Sequence, residues 1–179
     1  MINSKILILK NDRVGDLFHS IKHIQYLRKE CNNSDIDIIL SEYNVGFSSI
    51  LKKSNINIRK IKYRLSVRDK INLVRLIYIN KYTHIVILSP KNFYYFLPLI
   101  FKKVLFSAIV IDNKRMRPSN YLRDKINFLT INNRMSKAKR HNISCLYENV
   151  TKNLILEKQN NISNLYLNMS YKKINFHKF

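Results

Sequence analysis

The chain is poor in the residues that staple, kink or cradle: two cysteines, two glycines and three prolines in 179 residues. Cys31 and Cys145 are far apart in sequence and have no Cys or His partner at metal-ligand spacing. A disulfide-stapled secreted scaffold is therefore excluded, and both read as buried thiols in a reducing compartment. With two glycines there is no Gly-x-Gly-x-x-Gly and no Gly-Lys-Ser/Thr, so neither the dinucleotide nor the P-loop triphosphate fingerprint is present. Long apolar runs are also missing. The nearest approach, Phe93 to Ile111, is interrupted by Lys102 and Lys103, so no continuous apolar run reaches the roughly 18 residues a spanning helix needs. The amino terminus is polar at Asn3 to Lys5 and then apolar for only four residues, unlike a signal peptide. The expected location is cytoplasmic, and the five Asn-x-Ser/Thr triplets, such as Asn149 to Thr151, carry no weight as glycosylation sites. No internal repeat is present, nor a low-complexity block beyond a general bias to Asn, Lys and Ile.

Acid is the other scarcity. Eleven Asp and Glu face 33 Lys and Arg, a formal charge of +22, which favours a polyanionic partner: nucleic acid, an anionic membrane or a phosphorylated glycolipid. Ile, Asn and Lys make up about two-fifths of the residues, a bias expected of AT-rich codon usage, which competes as an explanation. Codon bias does not account for the shortage of acid or for the eleven arginines.

What is present is one domain's worth of core, with 46% hydrophobic and 11% aromatic residues. Short, β-branched apolar runs recur at Ile6 to Leu9, Ile36 to Leu40, Ile58 to Ile61, Ile85 to Leu88 and Ala108 to Ile111. Each is too short for a helix, and their near-continuous apolar character suits parallel strands covered on both faces. Between them lie helical spacings. Leu17, Phe18, Ile21, Ile24 and Leu27 form one stripe, with Ser20, Lys22, His23, Lys29 and Glu30 elsewhere. Ile71, Val74 and Ile77 or Tyr78 mark a helix over 67–80, opened by a capping pattern of Ser66 and Asp69. Shorter helices are expected over 47–53 and 92–104, and an amphipathic segment runs from about His141 to Leu156. The alternation predicts an α/β fold, a Rossmann-like, doubly wound parallel sheet, over residues 1–157. Residues 158–179 read as a tail or interdomain linker. The basic stretch of Lys114, Arg115 and Arg117, ending at Pro118, belongs to neither pattern.

In such a fold ligands sit beyond the carboxyl ends of strands. Lys10-Asn11-Asp12-Arg13-Val14-Gly15-Asp16 occupies that place, between the first strand and the first helix. Gly15 is expected where backbone turns sharply or approaches a ligand closely, and the helix start adds partial positive charge. Asp16 reads either as an N-cap or as a carboxylate held in a cleft as general base. His19 and His23 have the one-turn spacing of metal ligands but lack the glutamate of a zinc-protease helix, so ordinary surface or cleft histidines are expected and no metal site is assigned. Tyr94, Tyr95, Phe96, Leu97, Leu99, Ile100 and Phe101, beside Lys102 and Lys103, are either core or a lipid-facing patch.

From Lys5 to about Leu40, the strand Lys-Ile-Leu-Ile-Leu-Lys, the loop Asp12-Arg13-Val14-Gly15-Asp16 and the following Leu17-Phe18-His19-Ser20 resemble the amino-terminal start of the ADP-heptose:lipopolysaccharide heptosyltransferases. A weaker likeness continues at Lys81 to Ile87 and at His141, Leu146 and Tyr147. The resemblance implies a two-domain glycosyltransferase of the GT-B type, of which this chain supplies the first, acceptor-side domain and lacks the second. It implies Asp16 as the base that takes the acceptor hydroxyl proton in an inverting, metal-free transfer, with Lys10, Arg13, Gly15 and His19 as substrate-binding positions. Beyond the nucleotide-sugar donor, such as ADP-heptose, no cofactor is implied. The implied partners are a phosphorylated glycolipid acceptor, an anionic membrane surface at the inner face of the inner membrane, and a separate donor-binding half. Arg13 also reads as a loop cation paired with Asp12. Ile21-Lys22-His23 stands where the family shows a proline and small residues. Two rival readings remain: a nucleic-acid-binding α/β module, for which no RNA or DNA motif is present, and a non-catalytic remnant or scaffold.

Overall fold

The computed structural model describes residues 4–109, the strand backbone at 133–135, and residues 150–151. The first strand, β1 (Lys5–Lys10), feeds the helix α1 (Val14–Glu30), which returns the chain to β2 (Asp35–Ser41). A single 3-10 turn, Val45–Phe47, then leads into the short helix α2 (Ser48–Lys52) and β3 (Asn57–Ile61). The chain crosses the sheet through α3 (Val67–Asn80) to β4 (His84–Ile87). A second 3-10 turn, Tyr94–Phe96, and α4 (Leu97–Ile100) connect β4 to β5 (Leu105–Ile109), and β6 (Asn133–Met135) closes the far edge.

All neighbouring strands pair in parallel, in the order β3-β2-β1-β4-β5-β6. The order reverses beside β1, which is flanked by β2 on one side and β4 on the other, with Ile6 opposite both Ile36 and His84. This is the doubly wound, Rossmann-like α/β fold expected of alternating strands and helices, and its switch point lies between β1 and β4.

Alternation along β1 divides the core. Ile6 and Ile8 pack with Leu17, Ile24 and Leu27 of α1 and Leu51 of α2, while Leu7 and Leu9 pack with Leu73 and Ile77 of α3 and with Tyr94, Tyr95 and Leu97. Each such aliphatic side chain, sealed from water, contributes about 1.5–3 kcal/mol of transfer free energy. Cys31 is buried at the end of α1, as expected of a thiol without a disulfide, while Cys145 lies outside the described residues.

Four details differ from the sequence expectation. On α1 the buried face carries Ser20 and His23 with Leu17, Ile24 and Leu27, while Phe18 is exposed. Ser20 can face inward because its hydroxyl donates to the Leu17 carbonyl at 2.8 Å, which satisfies the polar atom locally. On α3 the inward pair is Leu73 and Ile77, whereas Ile71 and Tyr78 point to solvent. The fifth strand begins at Leu105, three residues before the apolar run that suggested it, and ends at Ile109. The three-residue β6 was not expected at all. The basic stretch 114–118, the tail 158–179 and most of the segment 141–156 lie outside the described residues; of that segment, Val150 and Thr151 are helical and buried, Val150 against the α1 side of the core.

Candidate functional site

The carboxyl ends of β1, β2 and β4 converge on residues 11–13, and four side chains from elsewhere pin this loop's main chain and amide. The Asn44 side-chain amide donates to the carbonyls of Lys10 (3.1 Å) and Asp12 (3.3 Å), and the Ser41 hydroxyl donates to the Asp12 carbonyl (2.8 Å). From beyond β4, the Lys91 ammonium donates to the Asn11 carbonyl at 3.0 Å and the Tyr94 hydroxyl donates to Asn11 Oδ1 at 2.6 Å. Lys91 also donates to the Tyr63 carbonyl and lies over that ring, 4.3 Å from its centroid. A loop held by so many separate donors has one conformation to offer a ligand.

Beneath the loop lies a buried ion pair. Lys10 is sealed from solvent and its ammonium donates to Asp12 Oδ2 at 2.7 Å. Burial pushes the Lys10 ammonium below its ordinary value, against the upward pull of Asp12 and Asp16. Burial likewise pushes the Asp12 carboxyl up, against the opposing pull of Lys10. Asp12 Oδ1 and the Ser89 hydroxyl are both buried; their mutual contact falls outside good hydrogen-bond geometry, yet the hydroxyl still draws the Asp12 carboxyl down. Burial also pushes the Lys91 ammonium down and the Tyr94 phenol up.

Above the loop, α1 starts at Val14 with Arg13 as its extended N-cap. Asp16 is therefore the third helical residue and not the cap, which corrects one of its two readings. Its half-buried carboxylate takes part in no hydrogen bond or ion pair among the described residues, and a carboxylate in a first turn is favoured by the helix dipole. Arg13 is exposed, and the pairing with Asp12 does not form: the Asp12 carboxylate is turned inward to Lys10. Gly15 has no positive φ, so no sharp turn depends on it. A Cβ built there would meet nothing within 4 Å, which leaves open space over the helix start. His19 is exposed one turn beyond Asp16, whereas His23 is buried. Phe18 stands beside them, edge-on to Phe47 at 5.0 Å.

The structure thus brings Arg13, Gly15, Asp16 and His19 to one open edge and separates Lys10 from them. Lys10, expected to touch substrate, is instead sealed under the loop because its ammonium is engaged by Asp12. Sequence reasoning missed Asn44, Ser89, Lys91 and Tyr94. The switch-point rule offered a signal for two of them, since Ser89 and Lys91 directly follow the strand that neighbours β1. Among the described residues no group of three His, Cys, Asp or Glu is placed to hold a metal ion. Two depressions are formed by other elements. One, of about 410 Å³, is bordered by Arg59, Ile61 and Leu73, and the other, of about 720 Å³, lies between α3 and α4.

Neither a family model nor a curated relative matches the sequence. Among solved structures, the fold is similar to that of a chain from Listeria monocytogenes assigned as a UDP-N-acetylglucosamine 2-epimerase, with a TM-score of 0.54 and 9% identity over 89% of this chain and 43% of that one. The present chain spans less than half of that protein's length. At this identity the similarity shows the fold alone: a Rossmann-like α/β domain.

Proposed function

We propose that the chain is the acceptor-binding half of a heptosyltransferase-like, inverting glycosyltransferase that moves a sugar from a nucleotide-sugar donor, such as ADP-heptose, to a lipopolysaccharide core or related phosphorylated glycan. The observation that carries this reading is the loop Asp12-Arg13-Val14-Gly15-Asp16 at the β1/β4 switch point, with an Asp16 carboxylate that makes no hydrogen bond among the described residues and open space beside Gly15. The similarity in fold to a chain that bears a nucleotide sugar in its name supports the nucleotide-sugar part of this reading.

In this reading the acceptor lies over the start of α1, and Arg13 and His19 engage its phosphate or hydroxyl groups. The attacking hydroxyl gives its proton to Asp16 as its oxygen bonds to the anomeric carbon from the face opposite the leaving nucleoside diphosphate. A sugar hydroxyl is a weak nucleophile, and a positioned base contributes about 10²–10⁴-fold. Lys10 and Asp12 act as positioning residues beneath the loop. The donor is held by a second half, on this or another polypeptide, because transfer requires both substrates in one cleft.

The test titrates the purified chain with a phosphorylated core oligosaccharide and follows amide resonances. Shifts are expected at residues 13–19, and Arg13→Ala should weaken binding about tenfold or more, the loss of one charge-assisted contact. With the donor-binding half supplied, Asp16→Asn should leave acceptor binding near wild type and lower kcat about 10²–10⁴-fold. Transfer by Asp16→Asn at the wild-type rate would sink the assignment. Steeply salt-dependent binding of duplex DNA or RNA, indifferent to Arg13 and Asp16, would favour the nucleic-acid module instead. A folded chain that binds none of these ligands would mark a remnant of the fold.

A further inference from the structure

The outer side of α3 is apolar where a surface helix is ordinarily polar. Ile71, Val74 and Tyr78 share one helical face, and Ile71 is 61% and Tyr78 77% exposed. Across a depression of about 720 Å³ stand Ile100, Phe101 and Val104, with Ile100 54% exposed. Four cations rim this surface, Lys70, Arg75, Lys102 and Lys103, and the Lys70 ammonium leans over the Phe93 ring at 5.7 Å. Between Lys62 and Val104 the chain carries nine Lys or Arg and a single acid, Asp69. The run expected to be either core or patch is divided: Tyr94, Tyr95 and Leu97 are buried, Phe101 is partly buried, and Phe96, Leu99 and Ile100 are exposed.

Charge selects the occupant. A second copy carries the same +22 and is repelled, and the stretches 110–132 and 152–179 are each net positive too. Nucleic acid would satisfy the cations and leave Ile71, Tyr78 and Ile100 in water. An anionic bilayer satisfies both sets at once, with phosphates at the rim and the acyl boundary at the centre. We propose that the α3–α4 face docks this protein on an anionic lipid bilayer. Among the described residues no helix is long and apolar enough to cross a membrane, so the contact is a shallow one. Residues 89–93 run from beside Asp12 to this surface, so docking and the candidate site share one segment.

Sedimentation with vesicles tests this without any glycan or donor, and so independently of the transferase reading. The chain should bind vesicles of phosphatidylcholine with about 30% phosphatidylglycerol and not pure phosphatidylcholine. Lys102→Gln/Lys103→Gln should weaken binding about 25-fold, near fivefold per cation, and Ile71→Ser/Ile100→Ser about tenfold or more. All four positions are exposed or at the rim, and far-ultraviolet circular dichroism checks that each variant is folded. Arg13→Ala and Asp16→Asn should bind vesicles as wild type does. Absence of binding, equal binding to neutral vesicles, or binding unchanged by Ile71→Ser/Ile100→Ser would each overturn the proposal.

Discussion

Asp37 is almost sealed from solvent between the aliphatic residues Ile36 and Ile38 of β2, and three donors converge on it. The Tyr82 hydroxyl and the Arg59 Nε (3.0 Å) both reach Oδ2, and the Asn57 amide reaches Oδ1 at 3.1 Å. Burial alone would raise its pKa, but these hydrogen bonds outweigh it and hold the carboxyl below its ordinary value. A carboxylate of this kind contributes stability that is present above its unfolded pKa and is lost as pH falls through the folded one. Asp37→Asn should therefore cost about 2 kcal/mol at about pH 7, with the gap to wild type narrowing by about pH 3. Thermal denaturation at both values checks this, and an equal gap at both would show that the charge is not what matters. The same residue illustrates why part of the molecule was hidden in the sequence. A lone Asp inside an apolar run carries no local sign of its partners, which arrive from β3 and from the end of α3.

At the scale of elements, α3 is bounded by one favourable end and one strained one. Ser66 and Asp69 exchange hydrogen bonds in a complete capping box, and Ser66→Ala should cost about 1 kcal/mol in urea denaturation. The helix ends on Lys81 in the left-handed conformation with φ of 51°. Since glycine adopts that conformation without a Cβ penalty, Lys81→Gly should stabilise the protein by about 0.5–1 kcal/mol, and destabilisation would mean that the Lys81 side chain itself is needed. Elements that combine a continuous apolar or helical period with an end signal were legible in the sequence, including β1 to β4, α3 and its cap. Those that depart from period were not. Ser20 and His23 lie on the buried face of α1 although their polarity marks them as outward. Ser107 split the β5 run and displaced its start. The three residues of β6 are too few and too polar to stand out. At the site, the Asp12 to Asp16 loop was visible because it joins a clear strand to a clear helix, while its anchors Asn44, Lys91 and Tyr94 are brought to it only by the crossovers.

For the whole molecule, the charge of +22 acts on stability whatever it binds. Like charges crowded onto one compact domain repel, and added salt screens them, so raising NaCl from about 20 mM to about 500 mM should raise Tm. A Tm that falls or stays flat over that range would mean the few ion pairs, such as Lys10 with Asp12, outweigh the general repulsion. The switch in strand order has its own consequence for how the chain is made. β1 lies inside the sheet, yet its β4 neighbour is encoded 78 residues later, as the pairing of Ile6 with His84 shows. A ribosome extends the chain by roughly 5–20 residues per second, so β1 waits about 4 to 16 s with one apolar edge unpaired. During synthesis this protein therefore presents a sticky strand to the translating cell, and a chaperone that shields Ile6 to Leu9 would matter more for its yield than for its final stability.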